Sequence, residues 1–326
     1  MRLITRSDFD GIVCAALLRE VGIVEEVVFA HPKDVQDGLI DIKHSDCLAN
    51  MPYDERCGLW FDNRVSEQYR YAYKSGFKGV FCPSPSVSRI IYNFFGGYQR
   101  FTRFEELVSV VDRFCTGNLT IDEVLSPKGW IMIGFILDPR SGFGRHHNFM
   151  ISNYKLMEYS IEWIRRLQPE QILNLQDVIE RTLIYKEHSK QFVNMLLTNS
   201  YTEKNVVITD LRKAEEIFIG NRFIIHTLFP KQNTFLWITK GKCGIGCSCS
   251  IAKSIINKTS TVSMGTIAYK YKGGGNEQMA GCQFNENESE IMITKLTDDL
   301  TGNTPIEILP ETEKKKKKFF FQKKSV

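Results

Sequence analysis

Ser7-Asp8-Phe9-Asp10-Gly11, set between the apolar run Arg2-Leu3-Ile4-Thr5 and the stretch Ile12-Val13-Cys14-Ala15-Ala16-Leu17-Leu18, decides how this chain is read. The first run predicts a strand, residues 12–21 a helix closed by Gly22, and Ile23 to Ala30 a second strand, which together make a βαβ unit. Residues two apart on a strand face the same side about 6.6–6.8 Å apart, so Asp8 and Asp10 are expected to project together from the strand's end. Two unit charges 4 Å apart repel by about 4 kcal/mol at an effective dielectric of 20, and such a pair calls for a divalent cation. The plainer reading, in which one aspartate caps the helix and the other is solvated, stands beside it.

Working outward, Gly58-Leu59-Trp60-Phe61 is a further strand-like run that ends at Asp62, and residues 86–95 and 104–114 have helical spacing. Alternation of this kind predicts an α/β fold with a parallel sheet covered by helices. Such sheets bind ligands outside the carboxyl ends of their strands, and Asp10 and Asp62 fall at two of those ends. Residues 148–199 carry a helical pattern interrupted at Pro169 and read as a connector. Strand-like runs return at 205–211, 223–229 and 234–239, followed by a Gly/Cys-rich stretch and Gly273-Gly274-Gly275. The expected division is a domain over 1–150, a helical connector over 151–200, a smaller α/β domain over 201–305 and a basic tail over 306–326.

With 326 residues and 43% hydrophobic content, the chain exceeds what one core usually serves, which also favours two domains. The net charge is +4, and the lysines of 314–318, 323 and 324 supply much of it, so the body offers no large surface for long duplex nucleic acid. The tail reads as a solvated end. Nine cysteines scattered through apolar segments fit a reducing compartment better than a disulfide framework. No run approaches the ~20 residues of a membrane span, and cytoplasm is the expected location.

Acidic residues recur where loops should leave strands: Asp46 in His44-Ser45-Asp46-Cys47, Asp62 in Trp60-Phe61-Asp62-Asn63-Arg64, and Asp112 in Val110-Val111-Asp112-Arg113. With Gly273-Gly274-Gly275, their order and spacing resemble the DHH phosphoesterases, which include RecJ-like nucleases, nanoRNA and cyclic-dinucleotide phosphodiesterases, and exopolyphosphatase-like proteins. The likeness is greatest to an exopolyphosphatase-like branch, through Thr5 to Gly11, Phe29 to Asp34, Asp138-Pro139-Arg140-Ser141-Gly142-Phe143-Gly144-Arg145 and Ile151 to Tyr154. The resemblance implies an N-terminal domain holding two divalent ions, Mn2+ or Mg2+, and a DHH-associated C-terminal domain whose glycine loop closes on the phosphate end of the substrate. It carries metal-ligand positions onto Asp8, Asp10, Asp46 and Asp62, with Asp112 at or beside a fifth. Two ions ~3.5–4 Å apart can generate hydroxide and stabilise charge building on phosphorus, with Asp62 and Arg64 at the catalytic position. Arg64, Lys272, the 273–275 backbone and Asn276 are the expected substrate contacts. The implied substrate is a small phosphodiester or phosphoanhydride: a short single-stranded oligonucleotide, a cyclic dinucleotide or polyphosphate.

The chain departs from the family's pattern. Where the family reads Asp-His-His, this one reads Asp62-Asn63-Arg64; its glycine loop continues as Gly275-Asn276 without a histidine and is led by Lys272; near Asp112 it has Cys115; and Arg6 stands where many members have histidine. Fewer imidazoles imply a harder, weaker metal site. Arg64 repels a cation yet can clasp a phosphate oxygen, and Asn63 cannot shuttle a proton near neutral pH. A hydrolase and a non-catalytic binder of a phosphorylated ligand both remain open.

Other constellations say less. Cys243, Cys247 and Cys249 put three thiols close together but lack a fourth ligand at zinc spacing. His146-His147 read as substrate-side contacts or solvated loop residues, and His31 and Lys33, which follow a strand end, read either as phosphate contacts or as part of a plain turn at Pro32. There is no GxSxG elbow, and no dinucleotide fingerprint follows the first strand.

Overall fold

Five short strands lie side by side in the first domain of the computed structural model, which describes residues 1–71, 76–241 and 246–302. The chain runs β1 (Arg2–Thr5), α1 (Phe9–Glu20), β2 (Glu26–Phe29), α2 (Pro32–Gln36), β3 (Asp46–Ala49), β4 (Leu59–Asp62), α3 (Val65–Tyr71) and β5 (Gly79–Phe81). All four pairings are parallel, in the order β2-β1-β3-β4-β5. Parallel strands need crossovers and two covered faces, as the sequence alternation requires. The covering helices continue with α4 (Val87–Phe94), α5 (Gly97–Phe101), α6 (Glu105–Thr116), α7 (Ile121–Leu125) and α8 (Gly129–Leu137).

Helix α1 is buried from Phe9 to Leu18, and α8 from Trp130 to Leu137. Helices apolar all round belong in the middle of a layered core. On the other face of the sheet, Trp60 stacks on Phe81 with ring centroids 5.1 Å apart and donates its indole N–H to the Met51 carbonyl.

Four helices, α9 (Asn153–Arg166), α10 (Pro169–Leu173), α11 (Gln176–Glu187) and α12 (Ser189–Thr198), lead to the second sheet. The elements there are β6 (Ser200–Glu203), β7 (Val206–Asp210), α13 (Ile224–Leu228), β8 (Thr234–Lys240), β9 (Cys247–Lys253), α14 (Met264–Lys270), β10 (Gly274–Gly275), β11 (Met279–Phe284) and α15 (Ser289–Leu300). The order is β10-β11-β9-β8-β7-β6, with β7 and β8 parallel and the remaining pairs antiparallel. The basic tail falls outside the described residues. Among the described residues no helix is long and apolar enough to cross a membrane.

Two local expectations change. Residues 223–229, read as a strand, form α13 instead: the Asn221 side chain accepts from the Phe223 N–H at 2.8 Å and its carbonyl accepts from Ile224 at 3.0 Å, which starts a turn. Period alone cannot separate a short apolar strand from a buried helix. Likewise β1 stops at Thr5, so Asp8 and Asp10 are not strand neighbours: Asp8 is the N-cap of α1, accepting from Gly11 at 2.9 Å, and Asp10 lies in the first turn. Gly11 is needed there, because a Cβ would sit 2.1 Å from the Arg6 carbonyl oxygen.

His226 on α13 is buried between Phe223 and Phe235, and its Nδ1 has no hydrogen-bond partner among the described residues. Burial, aided by the charge of Arg222, pushes its imidazolium down from 6.5 to about 3. Below pH 6.5 the unfolded chain therefore binds a proton that the folded chain refuses. The stability from the neutral ring is complete above that pH and is lost as pH falls toward 3, at about 1.4 kcal/mol per pH unit. Urea unfolding from pH 4.5 to 7.5 is expected to show this slope as the difference between the native chain and His226→Leu.

Candidate active site

The carboxyl ends of the first sheet open onto a cavity of about 1400 Å³ whose far wall is the second domain. Asp8 and Asp10 face it from the β1–α1 turn. Asp8 is tethered on three sides: Oδ1 accepts from Gly11 and from the Asn50 amide at 3.1 Å, and Oδ2 pairs with the Arg6 guanidinium at 3.1 Å. Asp10 reaches the start of α4, where its oxygens accept from the N–H groups of Val87 at 3.0 Å and Ser88 at 2.9 Å. Burial and the neighbouring Asp8 charge push its carboxyl up to about 6, against the pull of those two donors.

At the end of β4, Asp62, Asn63 and Arg64 lock one another in place. Asp62 is fully buried. The Arg64 guanidinium grips its carboxylate with Nε at 3.0 and 2.8 Å from the two oxygens and Nη2 at 2.5 Å, while the Asn63 N–H donates to Oδ1 at 2.8 Å. The Asn63 side chain turns away to the Ser84 carbonyl. Burial pushes the Asp62 carboxyl up and Arg64 draws it back. Such a pair is held by geometry, because each ion has lost its water.

The remaining sequence candidates fall elsewhere. Asp46 opens β3, in register with Arg2 at the start of β1, and its carboxylate is held by Arg2 at 3.0 and 2.6 Å and by the Lys43 N–H at 2.8 Å. It stands at the amino ends of the strands, on the side opposite the cavity. The residue that the carboxyl end of β3 presents is Asn50, whose φ of 56° turns the chain. Asp112 on α6 accepts from the Ser86 hydroxyl at 2.5 Å and Arg89 Nε at 2.8 Å. Because Ser86 caps α4, Asp112 braces the helix that holds Asp10.

Gly273-Gly274-Gly275 packs against the first domain. The Gly273 N–H donates to the Ala268 carbonyl, that of Gly275 to the Ser66 hydroxyl at 3.2 Å, and the Gly273 carbonyl accepts from Arg70. A Cβ on Gly274 would lie 2.8 Å from Ser66 Oγ. Two of the three N–H groups expected to cradle a phosphate are thus already engaged. Lys272 and Asn276 line the cavity, and the Asn276 carbonyl oxygens are occupied by Gly265, Gln278 and Met279.

Sequence reasoning missed Asn50 and Arg222, and noted Arg140 only as part of a motif. Arg222 follows β7 without any local signal. Asn50 directly follows the apolar run Cys47-Leu48-Ala49, a placement that could have marked it as a strand-end residue. His31 and Lys33 line the cavity, and His31 caps α2. His146 and His147 line a separate, smaller pocket. Cys247, Cys249 and Cys282 sit buried on β9 and β11, while Cys243 lies outside the described residues.

These side chains do not fit a two-ion centre. Asp46 is at the wrong end of the sheet, Asp62 is covered by a guanidinium, Asp112 serves Ser86 and Arg89, and Asp8 is paired with Arg6. Among the described residues no group of three or more His, Cys, Asp or Glu is placed to hold a metal ion. The cavity lining sets nine basic side chains, Arg6, Arg64, Arg140, Arg222 and Lys272 among them, beside eight carboxylates, so guanidinium forks rather than net charge are what it offers to a phosphate.

Two α/β domains meet at an arginine-lined cleft outside the carboxyl ends of a parallel sheet, the arrangement of a phosphoesterase. The chain belongs to the DHH phosphoesterase family. It is 32% identical to a pGpG-specific phosphodiesterase, PggH from Vibrio cholerae, over 93% of this chain and 99% of that one, with a TM-score of 0.69. RecJ from Thermus thermophilus in complex with Mn2+ matches 94% of this chain and 52% of that one, at 12% identity and a TM-score of 0.48. No family model matches the sequence, and no curated protein does.

Removing one partner of the β4 pair strands a buried charge. Arg64→Met is expected to cost about 3–5 kcal/mol in urea unfolding, and the Asp62→Asn/Arg64→Met double variant distinctly less. Asn63→His with Arg64→His uncovers Asp62 and supplies imidazoles, so calorimetry should record at least about tenfold tighter Mn2+ binding than by the native chain.

Proposed function

We propose that this protein is a phosphodiester hydrolase acting in the cytoplasm on a short linear dinucleotide carrying a terminal phosphate. The observation that carries this reading is the end-to-end similarity, at 32% identity, to a phosphodiesterase described as pGpG-specific. The arginine-rich cleft supports it, since a terminally phosphorylated dinucleotide presents two phosphates that need countercharge. In this reading residues 1–150 supply Asp8, Asp10 and Arg64, and residues 201–305 close the far side with Lys272 and Asn276. Arg64 and Arg6 stand beside the scissile phosphate, and Asp10, fixed by the α4 N–H groups, is the carboxylate left to take a proton from an attacking water. The Mn2+ or Mg2+ pair that the family resemblance implies would supply hydroxide and Lewis acidity when bound. The carboxylates present do not fit it.

The grip of Arg64 on Asp62 favours a second reading, in which the cleft retains the dinucleotide without cutting it. One panel separates the two: pGpG, a cyclic dinucleotide, a short oligonucleotide and polyphosphate, each incubated with Mn2+, Mg2+ or chelator, with Asp10→Asn as control. Chromatography is expected to show mononucleotide released from pGpG by the native chain and not by Asp10→Asn. Intact pGpG recovered under every condition, together with measurable binding, would establish the second reading instead.

A further inference from the structure

We infer that Arg140 and Arg222, joined through Asp138, form a subsite for a phosphate monoester, and that it receives the terminal phosphate of the dinucleotide. The inference rests on the proposed substrate for the identity of the ligand, but the subsite itself rests on geometry.

Asp138 is buried at the end of α8 and accepts from two arginines at once: Arg140 Nε on Oδ1 at 2.9 Å and Arg222 Nε on Oδ2 at 2.8 Å. Arg140 belongs to the first domain, and Arg222 to the loop between β7 and α13 in the second. Each guanidinium uses its Nε, and the Nη atoms of neither have a hydrogen-bond partner among the described residues. All three residues line the cavity. Two fixed cations on one anion leave a net positive charge with donors still open. Burial, then the charge of Arg140, lowers the Arg222 guanidinium to about 10, while the two arginines hold the Asp138 carboxyl well below its usual range despite its burial. A second anion relieves the repulsion between the arginines, and a dianionic monoester with three oxygens matches the paired forks better than a diester does.

The placement is rigid. The Arg222 guanidinium lies over the Phe223 ring, its central carbon 4.0 Å from the ring centroid. Its neighbours are tied to the first domain: Gly220 N–H donates to the Ser141 carbonyl and the Asn221 amide to the Val124 carbonyl, both at 2.9 Å. Asp8 and Asp10 line the same cavity, so the subsite shares it with the corner where the scissile phosphate is expected.

The test measures binding of guanosine 5′-monophosphate, guanosine and inorganic phosphate by calorimetry to the native chain, Arg140→Lys and Arg222→Lys. The lysine variants keep the charge beside Asp138 and lose the fork, and thermal unfolding checks that they fold. The native chain is expected to bind the monophosphate at least about tenfold tighter than either guanosine or inorganic phosphate, and each folded variant to lose most of that margin. The same variants should lose the preference for pGpG over GpG while keeping their affinity for GpG. An undiminished margin in folded variants would overturn the subsite, as would a native chain that binds guanosine equally well. Inorganic phosphate bound as tightly as the monophosphate would assign the subsite to free phosphate and overturn the dinucleotide assignment. Failure of pGpG to bind, with the monophosphate margin intact, would instead strike the proposed substrate and leave the subsite standing.

Discussion

A guanidinium pressed onto a buried carboxylate, Arg64 on Asp62, stands where β4 of the parallel sheet meets the cleft. Both ions have given up water, and neither can be removed alone without exposing the other to an apolar interior. The N–H groups of Asn63 and Arg64 turn back onto the same carboxylate, while the Asn63 side chain donates to the Ser84 carbonyl. The pair also sets the electrostatics. The cation that Asp62 meets at the strand end is thus a side chain of the protein itself, and the carboxylate is not left free toward the cleft.

The same logic extends across the cleft. Asp8 is tethered by Arg6, Asp10 by the opening turn of α4, and Asp138 by one arginine from each domain. Carboxylates orient cations whose remaining donors face the cavity. Side chains held in this way have little freedom left to lose when a ligand binds.

Much of this was legible in the residues. The βαβ opening, the parallel sheet, the helical connector and the second α/β domain follow from hydrophobic period and glycine punctuation, and the family resemblance from motifs in order. The site was legible only in part. Asp8 and Asp10 do line the cavity, but the turn after Thr5 gave them helix-start roles that strand period cannot foresee. Asp46 looked like a strand-end residue because its neighbours are polar, yet pairing with Arg2 puts it at the strand's beginning, and Asn50 takes the other end. Arg222 has no local signal, because its meaning arises only when a loop of the second domain meets Asp138. The use of Gly273 and Gly275 for packing was hidden for the same reason: their partners are some 200 residues away in sequence, |i−j| being 203 and 209.

That packing has a consequence for how the two halves are spaced. Helix α3 rests on β10 at a point where Gly274 contributes only a hydrogen and Ser66 fills the space a methyl group would need. The fit between the two halves is therefore gauged by a missing atom at a contact beside Arg70, apart from the arginines that line the cavity. A side chain at 274 would force Ser66 to move and break the hydrogen bond that its hydroxyl accepts from Gly275, so the spacing of the halves depends on a residue that carries no charge and touches no part of the cavity's arginine cluster.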